Sequence, residues 1–125
     1  MSSNNFIKQL SLLIKSRQNV IFLETKEEFR AEYTLRNFVK QATNRTFNCW
    51  DFVSGYTHVP QSNKIADRNP FQALDYIENL DSQISGVILL KDFQNFWSDL
   101  SIIRKLKLVL RKIKGQTKTI IFLVP

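Results

Sequence analysis

Glycine is scarce in this chain and missing altogether from Met1 to Ser54. A loop that cradles phosphate needs glycines so that backbone N–H groups can approach the anion, and that stretch cannot supply one. Cysteine occurs once, at Cys49, which excludes an internal disulfide and any multi-cysteine metal site and makes a reducing compartment the default. No apolar run approaches the roughly 18 residues that span a bilayer, and the amino end lacks a basic-then-apolar signal pattern, so a soluble protein made where it works is expected. With only three glycines and three prolines in 125 residues, collagenous and low-complexity designs are excluded. Acidic residues are absent from Leu100 onward, where seven basic residues stand. The preceding 99 residues hold eleven of each sign, so the whole excess of +7 sits at the carboxyl end.

What is present suits one α/β domain. A hydrophobic content of 43%, with ten phenylalanines, can fill one core and is too little chain for two. Four apolar runs without polar alternation read as strands: Val20–Leu23, Thr46–Phe52, Val87–Leu90 and Thr119–Val124. Helical periodicity lies between them. Phe6, Ile7, Leu10, Leu13 and Ile14 predict a first helix ending near Arg17. A second runs from about Lys26 to Gln41, with Phe29 and Tyr33 as a separate pair, and a third is opened by Asn69-Pro70. The last is capped at Ser98 or Asp99 and stopped by Gly115. Residues 54–68 show no period and are expected to form the longest loop. Uninterrupted apolar strands separated by helices predict a three-layer parallel sheet with helices on both faces. Periodicity alone does not separate a P-loop-like strand order from a flavodoxin-like one.

The junction of the first strand with the following helix is the place where such folds hold phosphate. Here it reads Glu24-Thr25-Lys26-Glu27-Glu28. Carboxylates suit the positive end of a helix dipole and would repel a nucleotide.

The runs Ser11–Arg17, Phe22-Leu23-Glu24-Thr25, Trp50-Asp51-Phe52-Val53, Asn69-Pro70 with Ala73-Leu74, and Leu90-Lys91-Asp92-Phe93 together resemble the amino-terminal half of the hypothetical-reading-frame AAA ATPases of chloroplasts and cyanobacteria. The resemblance implies a degenerate, P-loop NTPase-like domain that precedes an intact AAA module. Glu24 to Glu28 then stand where a Walker A loop would be, and Lys91-Asp92 where a Walker B strand would end. It implies no catalytic, cofactor-binding or metal-binding residue in this segment, with ATP and magnesium expected only for the intact module elsewhere. Residues 1–125 would be the first part of a longer protein, cut before a fifth strand. The compartment implied is the chloroplast stroma or a cyanobacterial cytoplasm, and the partner an AAA module of the same protein or of a neighbouring subunit.

Other features have weaker chemistry. Glu24, Asp51 and Asp92 end three strands and could converge on magnesium in a receiver-like order, although carboxylates there more often cap turns. His58, the only histidine, reads as a loop residue, and Cys49 as a small core residue. Phe52-Val53-Ser54-Gly55 falls where ring-forming AAA proteins carry a pore loop; the plainer reading has Phe52 and Val53 finishing a strand. The last helix carries Arg104, Lys105, Lys107, Arg111, Lys112 and Lys114 with Leu108 exposed among them, a surface for an acidic protein or a nucleic-acid backbone. The leading expectation is a non-catalytic module acting in assembly or regulation; the alternatives are a nucleic-acid-binding domain and a receiver-like magnesium domain.

Overall fold

The computed structural model describes residues 18–57 and 65–125; the helix expected over residues 6–17 and His58 lie outside them. Nine elements follow in order: β1 (Val20–Glu24), α1 (Glu28–Ala42), β2 (Thr46–Asp51), β3 (Gly55–Thr57), α2 (Pro70–Glu78), β4 (Gly86–Lys91), a 3-10 turn (Phe93–Phe96), α3 (Leu100–Ile113) and β5 (Lys118–Val124). The sheet order is β1-β5-β4-β2-β3. All pairings are parallel except β2 with β3.

The four expected strands are therefore all present and parallel, and a fifth is added. It is antiparallel and lies inside the stretch expected to be loop. Its described part is Gly55–Thr57, too short to show a period of two. What fixes it is side-chain anchoring: the Tyr56 hydroxyl donates to the Ala73 carbonyl at 2.6 Å and its ring lies 4.4 Å from that of Tyr76. Gly55 makes the turn with φ +69°, and a Cβ there would stand 2.3 Å from the Ile65 carbonyl oxygen. Only glycine fits that approach.

The strand order also decides between the two topologies left open by the sequence. In a flavodoxin-like sheet the first strand lies between the second and third parallel strands. Here β5 is inserted between β1 and β4, the P-loop arrangement, and β1 is at the edge of the described sheet.

Two cores flank the sheet. α1 covers one face with Ala31, Leu35 and Val39 against Ile21, Cys49, Val87, Leu89, Ile121 and Leu123. α2 and α3 cover the other around Trp50, Leu74, Ile77, Ile88, Phe93, Ile102, Val109 and Phe122. Each large side chain so buried contributes about 1.5–3 kcal/mol, and β4, the middle strand, is buried along its whole length. Trp50 ties the second core to the β3 loop by donating its Nε1–H to the Ala66 carbonyl at 2.9 Å. Expected caps are in place. Asn69 Oδ1 accepts from the Gln72 amide at 2.9 Å, Asp99 Oδ1 accepts from the Ser101 amide at 2.9 Å, and Gly115 ends α3 at φ +84°. Among the described residues no helix is long and apolar enough to cross a membrane.

Candidate functional site

The carboxyl ends of β1, β4 and β2 point toward one end of the molecule, the end at which parallel α/β sheets bind ligands. At β1 the chain turns into α1 through Thr25–Glu27. The Thr25 amide donates to the Val124 carbonyl at 2.9 Å, and the Glu27 amide donates to Thr25 Oγ1 at 3.1 Å. Two of the amides that could face an anion thus already have partners. Glu27 occupies the cap position of α1 without a side-chain cap bond, and Glu28 opens the first turn.

At β4 the strand ends in Lys91. Its ammonium forms an ion pair with Glu32 and stands 3.7 Å from Glu28 Oε2, both carboxylates belonging to α1. The spacing of Glu28 and Glu32, one helical turn apart, lets both reach the same cation. The side chain of Lys91 is 10% exposed, so water does not replace these partners. Burial opposes its charge, but the Glu32 hydrogen bond and the nearby carboxylates outweigh that and hold its pKa above 10.5. Phe29 lies over the same ammonium, ring centre 6.0 Å away. Asp92 follows in the left-handed region at φ +57°, so the strand ends sharply there.

At β2, Asp51 Oδ1 accepts the Val53 and Ser54 amides at 2.9 and 2.7 Å, which closes the turn into β3. Phe52 and Val53 are therefore turn residues, 40% and 62% exposed, and do not continue the strand as the sequence suggested. Phe52 stacks on Phe96 with ring centres 5.5 Å apart. Glu28, Phe29, Asp51, Phe52, Val53, Lys91, Asp92, Asn95 and Phe96 line an open cleft of about 550 Å³. Only part of this was legible. Lys91, Asp92 and Glu28 were marked in the sequence, whereas Glu32 was not, and its i, i+4 relation to Glu28 was the available signal.

The receiver-like grouping does not form. β5 and β4 separate β1 from β2, so Glu24 and Asp51 are three strand spacings apart, about 14 Å. Among the described residues no group of three or more His, Cys, Asp or Glu is placed to hold a metal ion. Cys49 is buried on β2 as expected, and burial first, with the Lys91 charge opposing, pushes its thiol up to about 12.

The basic helix is α3, and one member of the expected surface is removed from it. Lys105 is buried and its ammonium bonds Asp75 at 2.9 Å and Glu78 at 3.0 Å on α2, which holds its pKa above the ordinary lysine value. It is an inter-helix tie. Lys118, at the start of β5, is also buried, bonded to the Asp81 carbonyl and Gln116. Arg104, Lys107, Arg111, Lys112 and Lys114 are exposed, and Leu108 among them is 45% exposed.

A sheet with β5 between β1 and β4, helices on both faces and a strand-to-helix turn at the carboxyl ends of its strands has a P-loop-like α/β architecture. The chain belongs to the family described as SpoVK-like AAA ATPase, N-terminal domain, whose model matches residues 6–125. It is 48% identical over 118 residues to an uncharacterized AAA domain-containing protein ycf46 of Trieres chinensis, covering 94% of this chain and 24% of that protein. The proteins of the same name in Guillardia theta and Pyropia yezoensis are 39% and 42% identical over 119 residues, each covering 95% of this chain and 24% of the relative. The chain thus spans about a quarter of the length of these relatives. No solved structure matches it.

Proposed function

We propose that residues 1–125 are a non-catalytic ATPase-like module of a chloroplast AAA protein, in which the nucleotide site has been replaced by protein contacts and the domain acts in assembly or regulation of the AAA engine. One observation carries this reading. The ammonium of Lys91, at the end of the middle strand, is clamped by Glu28 and Glu32 from the helix that a bound phosphate would face. A lysine at that point repels a metal ion, and two carboxylates at a helix N-terminus repel a triphosphate. The turn residues Thr25 and Glu27 also have their amides engaged. The donor set therefore does not fit ATP with magnesium. Relatives of four times this length carrying an AAA domain in their name supply the context of a longer protein.

Calorimetric titration of magnesium ATP into the purified chain tests the first half: no binding is expected up to about 1 mM, and a micromolar Kd overturns it. Deleting residues 1–125 from the parent protein tests the second. A changed ATPase rate or a changed oligomeric state is expected, and a protein unaltered in both defeats the regulatory reading.

A further inference from the structure

Folding divides the seven basic residues that stand, without any acidic one, from Leu100 onward. Lys105 is drawn inward by Asp75 and Glu78, and Lys118 by the Asp81 carbonyl and Gln116. Arg104, Lys107, Arg111, Lys112 and Lys114 stay exposed on the outer side of α3 and make no ion pair among the described residues. At about 100° per residue, Arg104, Lys107 and Arg111 fall within an arc of about 60°. Lys114, the residue that caps the helix, continues the line, so four cations follow one another over about 15 Å. Like charges three and four positions apart repel along a helix, and a face kept only for solubility mixes its signs. The inner side of α3 is fixed in the core by Ile102, Val109 and Ile113, so the cations are presented as a rigid row.

We infer that this row binds the sugar–phosphate backbone of a double-stranded nucleic acid, without reading its sequence. About 15 Å of duplex axis carries about four phosphates on each strand, one for each cation of the row. The two arginines can hold phosphate oxygens with both arms of the guanidinium, and the lysines act as point charges. Other partners fit less well. A helix that lies on a lipid surface inserts its apolar face, whereas that face of α3 is buried and its exposed apolar residues are Leu100 and Leu108. A protein interface has a desolvated apolar centre; here the centre is one leucine, 45% exposed, among five cations. A single-strand site stacks bases on aromatic rings, and α3 carries no aromatic residue. What it offers is charge at phosphate spacing, which positions a protein on a duplex and carries no base information. Because α3 lies on the opposite layer from α1, this surface is separate from the β1–α1 turn and does not depend on whether that turn holds a nucleotide.

The test is fluorescence anisotropy of labelled DNA and RNA duplexes of about 20 base pairs, several sequences of each, titrated with the 125-residue chain. Both should bind with a micromolar or tighter Kd at about 0.05 M salt; four phosphate contacts give a log–log salt slope near 3.6, so affinity should fall about 150-fold by about 0.2 M. Two variants of equal charge locate the contact. Arg104→Ala with Arg111→Ala takes two cations from the row, and Lys26→Ala with Lys40→Ala takes two from α1 and the turn before it; all four are exposed, so folding, checked by circular dichroism, is expected to be unchanged. The first should weaken binding at least ~10-fold and lower the slope to about 1.8, whereas the second should stay within ~2-fold of wild type. Absence of binding at low salt overturns the inference, as does an equal loss in the two variants, which would assign the binding to net charge. A preference above ~10-fold for one sequence or for one type of duplex overturns the backbone reading. A single strand, or a vesicle of equal phosphatidylglycerol and phosphatidylcholine, held more tightly than either duplex gives the row a different partner and sinks the inference.

Discussion

Replacing Lys91 by methionine removes the cation and keeps most of the side-chain volume, so the effect reads electrostatics more than packing. Glu32, its side chain 15% exposed, loses its contact with the ammonium, while Glu28, 38% exposed, can turn to solvent. Breaking a fully buried ion pair costs about 3–5 kcal/mol. This one sits at the end of the sheet with partial access to water, so about 2–3 kcal/mol is expected after discounting for screening. At roughly 4 °C per kcal/mol for a domain of this size the melting temperature falls by about 8–12 °C, and the urea midpoint falls by about 1–1.5 M with unchanged slope. Adding Glu32→Met to Lys91→Met replaces the pair by apolar volume and should restore most of the loss, because a buried pair and its apolar substitute are often of similar stability. The expected coupling is about 1.5 kcal/mol, well above the ~0.5 kcal/mol scatter of independent sites. Since the folded lysine holds its proton more tightly than the unfolded one, the stabilisation is complete below pH 10.5 and fades only as pH rises through the higher folded value. A single mutant that loses less than about 0.5 kcal/mol, or a double mutant that is simply additive, refutes the clamp.

The Gly55→Ala chain should lose well over ~1 kcal/mol in urea denaturation, because a Cβ would collide with the Ile65 carbonyl oxygen in a left-handed backbone. A near-native midpoint would show that β3 is not held as described. Asn69→Ala removes the acceptor of the Gln72 amide and should lower stability by about 1 kcal/mol, near 4 °C in a thermal melt; Asn69→Ser should retain most of it. Cys49 should resist alkylation at pH 8 in the native state and react only on unfolding, since burial pushes its thiol up to about 12. As the unfolded thiol ionises near 9.0, stability should decline with pH between 9.0 and about 12, and Cys49→Ala should flatten that decline. Rapid native-state labelling would contradict the buried placement.

The parallel core could be read from the chain because its strands are buried on both faces and carry unbroken apolar runs, and because Asn69-Pro70, Asp99 and Gly115 mark helix ends by local chemistry. What escaped was decided by contacts far apart in sequence. Three residues of β3 are described, paired with β2 and anchored where Tyr56 reaches Ala73, a bond across 17 positions with no periodic trace. Strand order escaped for the same reason: nothing local to β5 says that it will separate β1 from β4. Lys105 reads as part of the basic face because helical spacing places it at the margin of the stripe, and only the positions of Asp75 and Glu78 on the neighbouring helix turn it inward. The site shows the division most clearly. That carboxylates stand at the β1–α1 turn is a property of five consecutive residues, visible at once. That one of them and a neighbour four positions on would clamp a lysine at position 91 requires α1 to lie against the end of β4, and so required the fold. Charge at a ligand-binding end is thus legible from sequence as sign, whereas whether it faces solvent, a ligand or another side chain is settled by topology. The same reasoning sorts the basic residues of the carboxyl end: with Lys105 and Lys118 engaged internally, the five remaining α3 cations are the part of the basic excess that folding leaves exposed.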